Sequence, residues 1–129
     1  MSRRLYLFVF TILIGFSCGC QPMEYEFQQP LEQVEHVYLV TEKDGIEQRQ
    51  ECSIEILIDL KALPCHIYWN DPSVAVGGNY ILVEYSDGSI EAICSSSSYY
   101  EHDGKRQYGD EYFDDPDFFA VFQKYQTSN

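Results

Sequence analysis

The sequence predicts an α+β fold, a mostly antiparallel β-sheet with two helices packed on one of its faces. Three observations predict it. Asp-Gly pairs recur at Asp44-Gly45, Asp87-Gly88 and Asp103-Gly104, each between stretches with strand character. Asp-Gly favours two-residue hairpin loops, because a type I′ turn needs positive φ at both central positions. Apolar residues recur at helical spacing over residues 56–63 and 118–125. The resulting order of strand, strand, helix, three or more strands, helix buries both stripes economically against one sheet face.

The first Asp-Gly turn joins Val37–Thr41 to Ile46–Gln50 and sets Glu42 opposite Glu47. Ser53 then caps a short helix running to Leu63, with Ile56, Leu57, Leu60 and Leu63 on one side and Pro64 stopping it. Cys65 to Trp69 reads as a strand, Ile67 and Trp69 facing one way, and Asn70 to Gly78 as a loop. A two-residue loop at Asp87-Gly88 pairs Tyr85 with Ile90, Val83 with Ala92 and Ile81 with Cys94 on one face. The other face then receives Glu84 with Glu91, Leu82 with Ile93 and Tyr80 with Ser95. The third hairpin places Glu101 opposite Arg106 and Tyr99 opposite Tyr108. Finally, Asp115 caps a helix with Pro116 in its first position and Phe118, Val121, Phe122 and Tyr125 along one side.

The chain has 129 residues, 45% of them apolar, with 8 basic and 21 acidic side chains and a formal net charge of −13. Its size fits one domain and excludes a two-domain kinase, a long dehydrogenase or a multi-span transporter. So acidic a surface repels a polyanion, so no nucleic acid is expected among its partners.

The chain opens MSRRLYLFVFTILIGFSCGC. Arg3 and Arg4 precede a mostly apolar run from Leu5 to Phe16, the length of a signal-peptide core and too short to span a bilayer. The run ends in small residues and cysteines, a pattern that resembles a bacterial lipoprotein signal. Ser17, Cys18 and Gly19 before Cys20 favour Cys20 as the acylated residue over Cys18, which follows the bulky Phe16. Residues 1–19 are therefore read as a leader, 20–33 as a polar tether holding Pro22 and Pro30, and 34–129 as one α+β domain. Without Arg3 and Arg4 the chain keeps 6 basic against 21 acidic residues, a net charge of −15. Attachment to the outer side of a bacterial membrane would then rest on acyl chains, since such a surface is not drawn to anionic lipid.

An exported domain permits oxidation of Cys52, Cys65 and Cys94. Cys52 and Cys65 flank a helix about 15 Å long at 1.5 Å per residue, beyond the reach of a disulfide. The helix, running back along the Cys65–Trp69 strand, brings Cys52 toward Ile81 and hence toward Cys94. Cys52–Cys94 is the expected link, with Cys65 left as a lone buried thiol.

Catalytic and metal chemistry find little purchase. Adjacent residues of a strand point to opposite faces, so His66 is poorly placed to deprotonate Cys65. His36, His66 and His102 lie in separate elements and no Cys-x-x-Cys occurs, so zinc is not expected. The acidic run Asp110, Glu111, Asp114, Asp115 and Asp117 lacks the ligand spacing of a calcium loop, and its last members suit a helix N-terminus. No phosphate-cradling or dinucleotide glycine motif appears, and no cofactor is expected. The sheet face away from the helices collects Tyr80, Leu82, Ile93, Tyr99, Tyr108 and Tyr112, a half-polar aromatic surface suited to protein or glycan contact. A cover formed by the N-terminal arm or by the Asn70–Gly78 loop is the alternative.

Leu63-Pro64-Cys65-His66-Ile67-Tyr68-Trp69-Asn70-Asp71-Pro72, followed by Tyr85-Ser86-Asp87-Gly88, Gly104-Lys105 and Phe113-Asp114, resembles small bacterial lipoproteins or secreted domains of unknown function. The likeness spans roughly Val34 to Tyr125. Its motifs mark turns and core positions, and it implies no catalytic residue. The sequence thus points to a lipid-anchored, non-enzymatic envelope domain that binds a protein or envelope polymer. An acidic inhibitor or immunity-type protein that blocks a basic enzyme is the alternative.

Overall fold

A computed structural model describes residues 23–68 and 76–127. The leader, Cys20 and Trp69 lie outside them. The fold is α+β, as the sequence predicts. After a 3₁₀ turn at Leu31–Gln33 come β1 (Val34–Lys43), β2 (Ile46–Cys52), α1 (Glu55–Lys61), β3 (Cys65–Ile67), β4 (Tyr80–Tyr85), β5 (Ile90–Ile93), β6 (Ser98–His102), β7 (Lys105–Tyr108), β8 (Glu111–Phe113) and α2 (Asp115–Tyr125). Six strands form an antiparallel sheet in the order β2-β1-β4-β5-β6-β7, and β3 with β8 forms a separate pair.

The outer hairpins have the predicted turns and registers. Asp44 and Gly45 sit at φ 55° and 76°, Asp103 and Gly104 at 51° and 75°, as type I′ loops demand. Glu42 faces Glu47, Glu101 faces Arg106 and Tyr99 faces Tyr108. The middle hairpin is shifted by one residue. Its loop is Ser86-Asp87-Gly88, closed by Gly88 N–H donating to Tyr85 O (3.0 Å) and Tyr85 N–H to Ser89 O (2.9 Å). Only Gly88 has positive φ, at 87°. This is a type I turn followed by a left-handed glycine bulge, the common three-residue hairpin. Asp87 favours it by accepting from both the Ser89 amide (2.9 Å) and the Ser89 hydroxyl (2.5 Å).

The shift re-sorts β5. Val83 now pairs with Glu91, Leu82 with Ala92 and Ile81 with Ile93. Ile81, Val83, Tyr85, Glu91 and Ile93 therefore point to the helix side, and Ala92 and Cys94 to the other. On the helix side, α1 contributes Ile56, Leu57 and Leu60, and α2 contributes Phe118 and Phe122. These pack with Val37, Leu39, Ile81, Val83 and Ile93 into the main core. Asp59 of α1 joins the helices by accepting from Lys124 (2.9 Å) and the Tyr125 hydroxyl (2.6 Å). The N-cap of α2 is Asp114, one residue earlier than predicted, which leaves Asp115 and Pro116 inside the first turn.

Two further expectations are corrected. Residues 23–33 are part of the body and not a tether. Tyr25 is buried, Phe27 and Leu31 pack on the core, and Met23 bridges Cys65. The strap forms because Tyr25 finds both an apolar bed, stacking on Phe113 at 5.5 Å, and a partner for its hydroxyl. The reasoning for Cys52–Cys94 also loses its premise. Cys94 no longer faces Ile81, and it lies in the cluster on the sheet face opposite Cys52; Cys52, Cys65 and Cys94 are free thiols.

Candidate functional site

The structure disperses the proposed aromatic face. Tyr80 and Leu82 are buried with Val40, Ala92 and Cys94, and Val76 packs on that cluster. Tyr80 also donates its hydroxyl to Glu47 (3.1 Å). Ile93 lies in the main core on the helix side, moved there by the register shift. Tyr112 belongs to β8, paired with His66 and packed on Tyr68 at 4.4 Å. Tyr99 and Tyr108 do stay together, directly opposed across β6 and β7 with ring centroids 6.1 Å apart. The Arg106 guanidinium lies 3.9 Å above the Tyr99 ring, an arrangement favoured by the ring quadrupole. All of β7 is exposed, and Tyr108 is 51% accessible. Among the described residues the sheet thus ends at this edge in β7, a strand carrying an arginine and a tyrosine.

A second constellation surrounds Glu91, which is only 1% exposed. Its Oε2 accepts from the Tyr25 hydroxyl (2.5 Å), and its Oε1 from the Tyr85 hydroxyl (2.5 Å) and the Gln28 amide (3.0 Å). Burial pushes its carboxyl above the ordinary value, against the pull of those three donors. Burial and the facing Glu91 charge push the Tyr25 and Tyr85 hydroxyls up as well, so both remain donors. Alongside, the Gln29 side-chain nitrogen lies within hydrogen-bond distance of Asp87 (2.8 Å), Ser89 (2.8 Å) and Tyr100 (2.9 Å), sharing its two hydrogens among them. Hydrogen bonds from Ser89 and Gln29 hold the Asp87 carboxyl down at about 2. Glu91 borders a cavity of about 70 Å³ lined also by Tyr25, Ser98, Tyr100 and Gly109. Ligand sites usually enclose about 300–1,000 Å³, so this space admits little more than water. The network serves to fasten the strap to the sheet.

The thiols differ sharply in environment. Burial and Glu111, whose carboxylate lies 3.4 Å away, push Cys65 up to about 12. His66 turns from it toward Asp114 (3.3 Å) and Tyr112 (ring centroids 5.1 Å apart). Burial also raises Cys94, but hydrogen bonds from Ser97 (3.2 Å) and Ser96 (3.5 Å) bring its thiol below the ordinary value. Cys94 lines a hollow of about 260 Å³ with Gly77, Asn79, Ser96 and Phe118. Among the described residues no group of three or more His, Cys, Asp or Glu side chains is placed to hold a metal. No helix among them is long and apolar enough to cross a membrane.

Glu91 and the strap escaped the sequence reading. Ser86-Asp87-Gly88 followed by a hydroxyl residue was the available signal, since it suits a three-residue loop as well as a two-residue one. No protein-family model matches the chain, and no curated protein and no solved structure matches it.

Proposed function

We propose that the chain is an exported, lipid-anchored, non-enzymatic domain that binds a protein or envelope polymer at the outer face of a bacterial membrane. The leader, with its cationic start, apolar run and Cys20, supports the anchor. The binding surface is drawn from the expected set to the β6–β7 edge. Its support is one observation: β7, the edge strand among the described residues, presents Arg106 stacked on Tyr99, beside the exposed Tyr108. Arginine and tyrosine are enriched among residues that dominate binding energy, and an open strand offers backbone groups for pairing with an extended segment. The net charge of −15 for the chain without its leader arginines favours a second reading, an inhibitor of a basic enzyme.

The test is capture from membrane extracts by the full acylated protein, alongside the Arg106→Ala, Tyr108→Ala double variant. Binding through the edge predicts a loss of about tenfold or more in affinity, the size of a modest hot spot, with folding unchanged. Capture that is insensitive to the double variant but collapses with added salt would select the inhibitor reading. Mass spectrometry of membrane-fraction protein tests the anchor, which requires a diacylglyceryl group on Cys20.

A further inference from the structure

Resting on that lipid-anchor reading, we infer that the docked strap dictates which end of the sheet faces the bilayer. The strap runs the length of the body. At one end Met23 bridges Cys65, whose partner Phe113 donates its amide to Ser95 just beyond β5. Tyr25 and Gln28 then bind Glu91, and Gln29 reaches Asp87 in the β4–β5 loop. Gln33 O accepts from the Ser86 amide (2.8 Å), and Val34 enters the sheet opposite Tyr85. The strap therefore starts at the Ser95 pole and ends at the Asp87 pole, where the Asp103-Gly104 turn also lies, with His102 3.9 Å from Asp87.

Only three residue steps separate Cys20 from Met23, a reach of about 11 Å at full extension. A docked strap therefore keeps the Ser95 pole, with the exposed side chains of Met23 and Ile67, against the headgroups and turns the Asp87 pole outward. A released strap would move the point of attachment to Val34, at the opposite pole, on a coil of about 20 Å. The partner of the near pole is the lipid surface, and Glu91 is the latch that selects this orientation.

The experiment uses full-length acylated protein in phosphatidylcholine vesicles with an acceptor dye on the headgroups. A fluorescent amino acid replaces either Ile67, near the proposed contact, or Lys105, on the remote hairpin. Transfer from position 67 should exceed that from position 105 by about twofold or more, given so short a reach. Ten Gly/Ser residues inserted before Met23 leave the strap docked and should abolish the difference. Gln28→Pro, which removes a donor to Glu91, should reduce or reverse it. Equal transfer from both positions in protein that floats with the vesicles, or stronger transfer from 105, overturns the inference and leaves the anchor standing. Protein that does not float overturns the anchor reading, and the orientation with it.

Discussion

At the scale of single residues, Glu91 carries the largest burden. It sits in the core because a three-residue loop turned it inward, and three donors make that burial tolerable. Glu91→Ala would orphan two tyrosine hydroxyls and an amide, and should destabilise the fold by about 3 kcal/mol or more in urea unfolding. Glu91→Gln keeps the shape and should cost less. The pH dependence follows from its raised carboxyl. The folded state binds this proton more tightly than the unfolded chain, so the Glu91 contribution to stability is fully present below the ordinary value of 4.5. It should decline as pH rises from there through the raised folded value, and Glu91→Gln should flatten that decline. Asp87 has the opposite sign: its contribution is present above 3.8 and lost as pH falls toward about 2. The cysteines give an independent check. Iodoacetamide at pH 8 should modify Cys94 before Cys65, because a larger fraction is thiolate and Cys94 borders a hollow; peptide mapping that finds Cys65 ahead would contradict the assigned environments.

At the scale of elements, the middle hairpin is where sequence and structure part. Asp44-Gly45 and Asp103-Gly104 were legible because both turn residues adopt positive φ in a two-residue loop. Asp87-Gly88 looks the same on paper, yet Asp87 prefers to bind Ser89 and leaves Gly88 alone in the left-handed region. The apolar alternation of 80–85 against 90–94 favoured the two-residue loop, whereas the observed register sets Val83 against Glu91 and Glu84 against Ile90, a sorting made possible by the donors that Glu91 finds in the core. Both helices were legible from their stripes and β3 from the Cys65 stretch, but β8 and its pairing with β3 were not, because the three residues Glu111–Phe113 have no readable period. Gly88→Ala places a Cβ in open space but at φ 87°. It should therefore cost about 1–2 kcal/mol of thermal stability through backbone strain alone; a neutral effect would count against the bulged turn.

At the scale of the whole molecule, the six-stranded sheet separates two apolar clusters, and the strap closes the larger one. The strap was illegible because its only regular structure is one bridge at Met23 and one 3₁₀ turn at Leu31–Gln33. Its residues are held by side-chain partners up to 71 positions away, such as Gln29 to Tyr100. The aromatic surface was misread for several separate reasons: one residue of register moved Ile93 to the helix side, Val76 packs over Tyr80 and Leu82, and Tyr112 belongs to the β3–β8 pair. Of the expected aromatic set, Tyr108 on the β7 edge is what reaches solvent, and what anchors the N-terminal arm is Glu91. The most direct measurement of that arrangement is amide hydrogen exchange. The Gln28 amide bonds Glu91, Cys65 bonds Met23, and Ser86 bonds Gln33, so all three amides should exchange orders of magnitude more slowly than an open chain. Exchange of the Gln28 and Cys65 amides at open-chain rates, with β4 still protected, would contradict a docked strap.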